Sequence, residues 1–201
     1  MKSIVTIQHT QSVHHGTNNI GSWTDWELSE FGRNQAENIG RRLAEELRGK
    51  EYKIFSSDLL RARQTAEPLA GYMGVAVMHL QSLREINLGE AVGKTKEWAS
   101  ANTTPGWSRD SYDIPEFAGA ETWREFWKRV SDVQADMLTR DEHNIILVSH
   151  GITLNAWYHL WIGSEFGVVD YNGLAGGVSF YQVDDHGNRT VIRLNDASYM
   201  V

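Results

Sequence analysis

His9, Arg61, Glu85 and His150 each stand just beyond a short apolar run. Their side-chain types make a coherent chemical set. A neutral imidazole is a competent nucleophile near neutral pH. An arginine fork grips an oxyanion through paired donors, and a carboxyl gives or takes a proton. Together they suit a site that holds an anion such as phosphate and moves a proton. Each residue also has a plainer reading taken alone. A lone loop histidine is usually buried and hydrogen-bonded, Arg61 reads as a surface arginine, and Glu85 reads as a partner for Arg84. Two histidines at equivalent strand ends weaken the plain reading for both.

The elements that must position them follow from apolar periodicity. Residues 3–8 read as a buried strand ending at Gln8 and His9, and residues 144–149 as another ending at His150. Ser29 is suited to cap a helix whose inner face carries Ala36, Ile39, Leu43 and Leu47. Residues 53–56 form a second strand. Asp58 is placed to cap a helix reaching Met73, with Pro68 bending or shortening it. Residues 75–80 form a third strand. Residues 122–139 carry Phe126, Val130, Val133 and Met137 at helical spacing, and a further helix opens at Gly151. Residues 177–183 and 190–194 flank a polar turn at residues 184–188 and predict a hairpin. Residues 91–119 hold Gly, Pro, Ser and Trp with few regular signals, and predict an inserted lid containing little more than one short helix. Strands alternating with helices imply an α/β fold, a three-layer α/β/α sandwich around a mostly parallel sheet. Catalytic residues of such sheets gather at the carboxyl ends of the strands.

The chain has 201 residues, 41% hydrophobic and 22% charged, which suits one globular domain spanning residues 1–201. A net charge of −7 argues against a nucleic-acid partner. No cysteine is present, so there is no disulfide framework and no thiolate metal site. No apolar stretch reaches transmembrane length, and residues 1–7 are too short an apolar run for a signal peptide. These features predict a cytoplasmic protein with no membrane partner; its oligomeric state stays open. Neither a glycine-rich nucleotide loop nor a Gly-x-Ser-x-Gly elbow occurs, so nothing supports ATP binding or serine hydrolysis. Eight tryptophans are unusual for this length. Trp127, Trp157 and Trp161 suit the core, whereas Trp23, Trp98 and Trp107 fall in loops near the expected mouth of the site. His79, His143, His159 and His186 read as structural or solvated.

Four segments, in order, resemble the histidine phosphatase superfamily, also called the phosphoglycerate mutase-like family. From Gln8 to Leu43 the similarity runs without a gap, including Trp23-Thr24-Asp25-Trp26-Glu27-Leu28-Ser29-Glu30-Phe31-Gly32. Residues 57–66, Gly119-Ala120-Glu121-Thr122 and Ser149-His150-Gly151 are similar to its later motifs. The resemblance implies that His9 accepts the phosphoryl group and that Glu85 is the proton donor. It implies that Arg61 and His150 line the phosphate pocket, with Gln8, His15, Thr24 and Gly151 beside it and Trp23 at its mouth. It implies a small phosphorylated metabolite as substrate, with no cofactor and no metal.

The sequence departs from that family at its opening motif. Gln8-His9-Thr10-Gln11 stands where Arg-His-Gly-Glu is usual, so the first pocket arginine is missing. His15 falls where the family usually has a phosphate-contacting asparagine, with His14 beside it. A protonated His15 would return the lost charge; as alternatives, both histidines are exposed loop residues, or they form a metal cluster with His9. Three functions stay open: a metal-independent phosphatase, a phosphomutase, and a catalytically weak phosphate-binding protein. The short lid region argues against the mutase.

Overall fold

The computed structural model describes residues 1–108, 110–164 and 173–201. Six strands form one sheet in the order β3-β2-β4-β1-β5-β6. They are β1 (Lys2–Gln8), β2 (Lys53–Ser57), β3 (Val77–Leu80), β4 (Asn144–Ser149), β5 (Val178–Val183) and β6 (Arg189–Asp196). β3, β2, β4 and β1 run parallel to one another, and β5 and β6 add an antiparallel hairpin along the edge of β1. The helices are α1 (Glu30–Glu46), α2 (Leu60–Met73), α3 (Lys96–Asn102), α4 (Trp123–Thr139) and α5 (Gly151–Ile162).

Alternation along the strands sorts the core into two layers, because successive strand side chains point to opposite faces. Ile145 and Leu147 of β4 pack with Phe126, Val130 and Met137 of α4 and Trp157 and Trp161 of α5. Ile146 and Val148, one residue out of phase, pack with Ile39 and Leu43 of α1 and Ala66 and Leu69 of α2. This is the expected three-layer sandwich. Neighbouring strands β1 and β4 send their following helices, α1 and α5, to opposite faces. A crevice opens at such a switch point, beyond the strand ends. The pairing of Gln8 with Ser149 puts His9 and His150 side by side there.

Several local expectations are corrected. Asp58 does not cap α2, because Arg84 engages both its carboxylate oxygens at 2.7 Å. Leu59 is the N-cap residue, and Asp25 reaches in from the loop before α1 to accept from the Leu60 N–H at 2.7 Å. Pro68 does not shorten α2, which continues to Met73. It lies at a tight crossing with α1, where a Cβ on Gly40 would come within 2.8 Å of the Leu69 nitrogen. Strand β3 starts at Val77 rather than residue 75, because the Val75 N–H still closes the helix on the Ala70 carbonyl. Among the described residues of 91–119, the one α-helix is α3, which places Trp98 on a helix rather than in a loop. Ser29 and Thr122 cap α1 and α4 by accepting from Gly32 and Glu125 N–H groups. Among the described residues no helix is long and apolar enough to cross a membrane.

Candidate active site

The polypeptide leaving β1 is pinned from two helices. The Thr10 N–H donates to Thr65 Oγ1 of α2 at 3.1 Å, and the Thr10 hydroxyl donates to the Gly32 carbonyl of α1 at 2.8 Å. Gly32 permits this approach, since a Cβ there would lie 1.8 Å from the Gln11 carbonyl oxygen. His9, so anchored, is only 4% exposed. Its Nδ1 lies 2.8 Å from the Thr10 carbonyl, and its Nε2 faces the Arg61 Nε–H at 3.2 Å. Only one neutral tautomer satisfies both contacts: a proton on Nδ1 and a lone pair on Nε2. Burial, and then the Arg61 cation, hold the His9 pKa well below its usual 6.5, so the ring is neutral at physiological pH.

Arg61 sits in the first turn of α2 and is 1% exposed. It donates to the carbonyls of Thr24 at 2.8 Å and Ser22 at 2.7 Å. Desolvation lowers its pKa to about 10, which leaves it a cation at neutral pH. Ser22 holds a left-handed φ of 43°, a conformation that L-residues other than Asn and Asp seldom adopt. The compensation is visible in its contacts. Its hydroxyl donates to the Ile86 carbonyl at 2.6 Å and accepts from the Leu88 N–H at 3.0 Å, tying the Arg61 loop to the Glu85 loop.

His150 is the N-cap residue of α5 and fully buried. Its Nε2 lies 2.8 Å from Ser57 Oγ at the end of β2, and its ring meets that of His9 edge-on at 5.1 Å. Burial, and then Arg61, depress its pKa well below 6.5. His150 Nδ1 and Thr24 Oγ1 are buried without a hydrogen-bond partner. Buried polar atoms are normally paired, so the orphaned Nδ1 of His150, whose ring meets His9, is suited to an anion's oxygen.

Glu85 lies across the N-terminus of α5. Oε2 accepts from the Ile152 N–H at 3.1 Å, and Oε1 accepts from Ile86 at 3.0 Å and Thr153 at 3.1 Å. Burial raises its pKa, with the backbone N–H groups and Arg61 opposing. Arg84 is paired with Asp58 and not with Glu85. The Glu85 backbone is held from both sides, by Trp23 Nε1 donating to its carbonyl at 2.7 Å and by Arg129 at 3.2 Å. Arg129 in turn makes a two-pronged ion pair with Glu121 at 2.7 and 2.8 Å.

Gln8 lies beside the opening of α5: a Cβ on Gly151 would stand 3.3 Å from its Nε2. His15 stacks on His9 with ring centroids 5.5 Å apart and planes 11° apart. Its Nδ1 accepts from the Ser12 N–H at 3.3 Å, so the neutral ring carries its proton on Nε2. Desolvation and Arg61 lower the His15 pKa below 6.5, and desolvation and His15 lower that of His14 to about 3. His15 is exposed to solvent, as one of the alternatives expects, and its lowered pKa disfavours the protonated form in the free site. His14 stacks on Trp26 at 5.8 Å. Among the described residues no group of three His, Cys, Asp or Glu side chains could hold a metal ion.

The structure therefore brings together His9, Arg61, Glu85, His150, Gln8, His15, Trp23, Thr24 and Gly151. Trp98 instead packs on Phe117 under Lys94 in a small separate cluster. Sequence reading missed Ser22, Ser57, Arg129 and Thr153. Ser57 was within reach of it, standing at a strand end four residues before Arg61.

The chain is similar to known proteins. It is 30% identical over 164 residues to a phosphoglycerate mutase-like protein of Arabidopsis thaliana, covering 77% of this chain and 69% of that one. It is 26% identical to a 2,3-bisphosphoglycerate-dependent phosphoglycerate mutase of Staphylococcus haemolyticus, over 94% of this chain and 97% of that protein. Its fold is similar to that of the alpha-ribazole phosphatase of Shigella flexneri, with a TM-score of 0.86 at 20% identity over 97% and 96% of the two chains. The family model of the histidine phosphatase superfamily (branch 1) matches residues 4–197, and the chain belongs to that superfamily.

Proposed function

We propose that the protein is a phosphatase that hydrolyses a small phosphomonoester through a phosphohistidine on His9. One observation carries this reading. His9 is held neutral in the tautomer that leaves Nε2 unprotonated, with that lone pair beside the permanent cation Arg61. An arriving phosphoryl group inserts at this contact. Nε2 forms a bond to phosphorus, the P–O bond to the leaving group breaks, and Glu85 protonates the departing oxygen. Oε1 accepts two N–H groups and Oε2 one, so Oε1 suits the carbonyl-like oxygen of the protonated acid and Oε2 the proton. Water then displaces phosphate from His9 while the Glu85 carboxylate takes its proton. No step uses a metal or cofactor.

The test is a panel of phosphorylated metabolites assayed with chelator present, with acid-labile phosphoenzyme trapped at early times. In the phosphoenzyme-forming burst, Glu85→Gln should slow alkyl phosphates about 10²-fold or more, while aryl phosphates, whose leaving groups need no proton, change little; the hydrolysis that follows, where Glu85 is the base, should slow alike for both. Equal losses on both in the burst would remove Glu85 from the donor role.

Gln8 favours a second reading, the catalytically weak phosphate-binding protein, because its neutral amide stands where a charged contact is usual. A charged hydrogen bond contributes about 1.5–3 kcal/mol and a neutral one about 0.5–1.5. His15 bears on the choice. As a neutral Nε2–H donor it supports an anion at any pH, and as a cation only below its lowered pKa. Affinity for sulfate, a dianion throughout the range, should fall as pH rises through a value below 6.5, and His15→Asn should flatten that fall. An unchanged profile in His15→Asn would leave the missing charge unreplaced from this loop and favour the binding protein.

A further inference from the structure

Thr153 lies in the first turn of α5 and is 2% exposed. Its Oγ1 is 2.8 Å from the Arg84 carbonyl oxygen and 3.2 Å from Glu85 Oε1. A hydroxyl has one hydrogen, so it cannot donate to both. The Arg84 carbonyl also accepts from Arg129 Nη1 at 2.9 Å, and stays satisfied when the hydroxyl turns away. Two hydrogen-bond states are therefore open. With Glu85 protonated, the hydroxyl donates to Arg84. With Glu85 ionised, it turns onto Oε1 as a further donor beside the Ile86 and Thr153 N–H groups.

We propose that Thr153 is a positioning residue whose hydroxyl turns onto the Glu85 carboxylate once the proton has left, supporting the half of the cycle in which Glu85 is a base. This inference rests on the phosphohistidine reading above. In that half the water oxygen attacks phosphorus, and the P–N bond breaks with its electron pair returning to His9 Nε2. One water proton passes to Glu85 Oε2, and hydrogen phosphate leaves. The step needs the ionised carboxylate in a site whose burial favours the neutral acid.

The charged and titratable groups around Glu85 come from several elements. Arg61 of α2 acts on the carboxyl directly, and the same site holds His9 after β1, with His14 and His15 of the following turn and His150 at the head of α5 against its ring. Behind the carboxyl stand the pairs Arg84–Asp58 and Arg129–Glu121. Replacing Thr153 by valine leaves all of them in place and removes only the switchable donor.

Removing a donor to the carboxylate raises the Glu85 pKa. The step that needs the carboxylate then loses its acid side at higher pH, while the step that needs the acid does not. In Thr153→Val, dephosphorylation should slow about two- to tenfold, the equivalent of one neutral hydrogen bond. The acid limb of kcat should move to higher pH, and the trapped phosphoenzyme fraction during turnover of an aryl phosphate should rise. Thr153→Ser should restore all three, and Thr153→Ala should repeat the valine result in a smaller side chain. Wild-type levels of phosphoenzyme and an unmoved acid limb in folded valine and alanine variants would overturn the proposal, as would a limb that moves down. If wild-type protein traps no phosphoenzyme at all, the phosphohistidine reading itself fails, and this inference with it.

Discussion

Replacing His9 by alanine is expected to lower phosphomonoester turnover by about 10³-fold or more, with no phosphoenzyme left to trap. The reason lies in how completely the surroundings commit this ring. Thr10 takes its Nδ1 proton, Arg61 faces its Nε2, and His15 and His150 flank its faces and edge. Its neighbours do not make substitutes. His150 gives Nε2 to Ser57, and His15 directs Nδ1 to the Ser12 N–H, so each is oriented for another contact. The fold should survive. His9 lies beyond the last paired residue of β1 and belongs to neither main core cluster. Alanine keeps the His9 N–H bond to Ser149 and loses the ring's contacts with the Thr10 carbonyl and Arg61 Nε, a cost of about 1–3 kcal/mol. The checks are kcat on an aryl phosphate, an alkali-quenched labelling time course and a thermal melt. Turnover in His9→Ala within tenfold of wild type would end the phosphohistidine mechanism.

The parts of this site legible in sequence are those fixed by strands and local periodicity. His9 and His150 follow uniform apolar runs that the sheet buries on both faces, so their shared edge could be anticipated. The caps show where that reasoning stops. Asp58 has the right type and position to cap α2, yet Arg84, distant in sequence, claims both its oxygens, and Asp25 from another loop takes over the cap. Thr153 was illegible for the same reason. On its own helix it is an ordinary first-turn threonine. Its meaning comes from a loop at residues 82–88 that crosses above α5 and is held there by Arg129, Trp23 and Ser22. Ser22 carries a backbone conformation that no local pattern signals, sustained by contacts more than sixty residues away in sequence. Chemistry placed by strand ends is local information; chemistry placed by loops crossing helix ends is not.

Arg61 should prove nearly as indispensable as His9, and through geometry as much as charge. Its guanidinium spans three acceptors at once: His9 Nε2, the Ser22 carbonyl and the Thr24 carbonyl. Lysine keeps the charge but concentrates its donors on one nitrogen, which cannot reproduce that fork. Arg61→Lys is therefore expected to retain part of the anion affinity while kcat falls by about 10³-fold, in the range that single arginines contribute to phosphoryl transfer. Arg61→Gln should lose affinity as well, and it makes a further prediction whose sign is fixed. The Arg61 cation is one of the causes that depress the His9 pKa, second to burial. Without it that pKa rises towards 6.5, and a protonated imidazole has no lone pair to attack phosphorus. The residual activity of Arg61→Gln should thus disappear at a higher pH on the acid side than in wild type. Both variants leave the Ser22 and Thr24 carbonyls short of a donor, so each should also unfold more easily, by about 1–3 kcal/mol. Turnover of Arg61→Lys within tenfold of wild type would show that charge alone suffices. The fork holding Ser22 and Thr24 would then matter to the fold and not to the reaction.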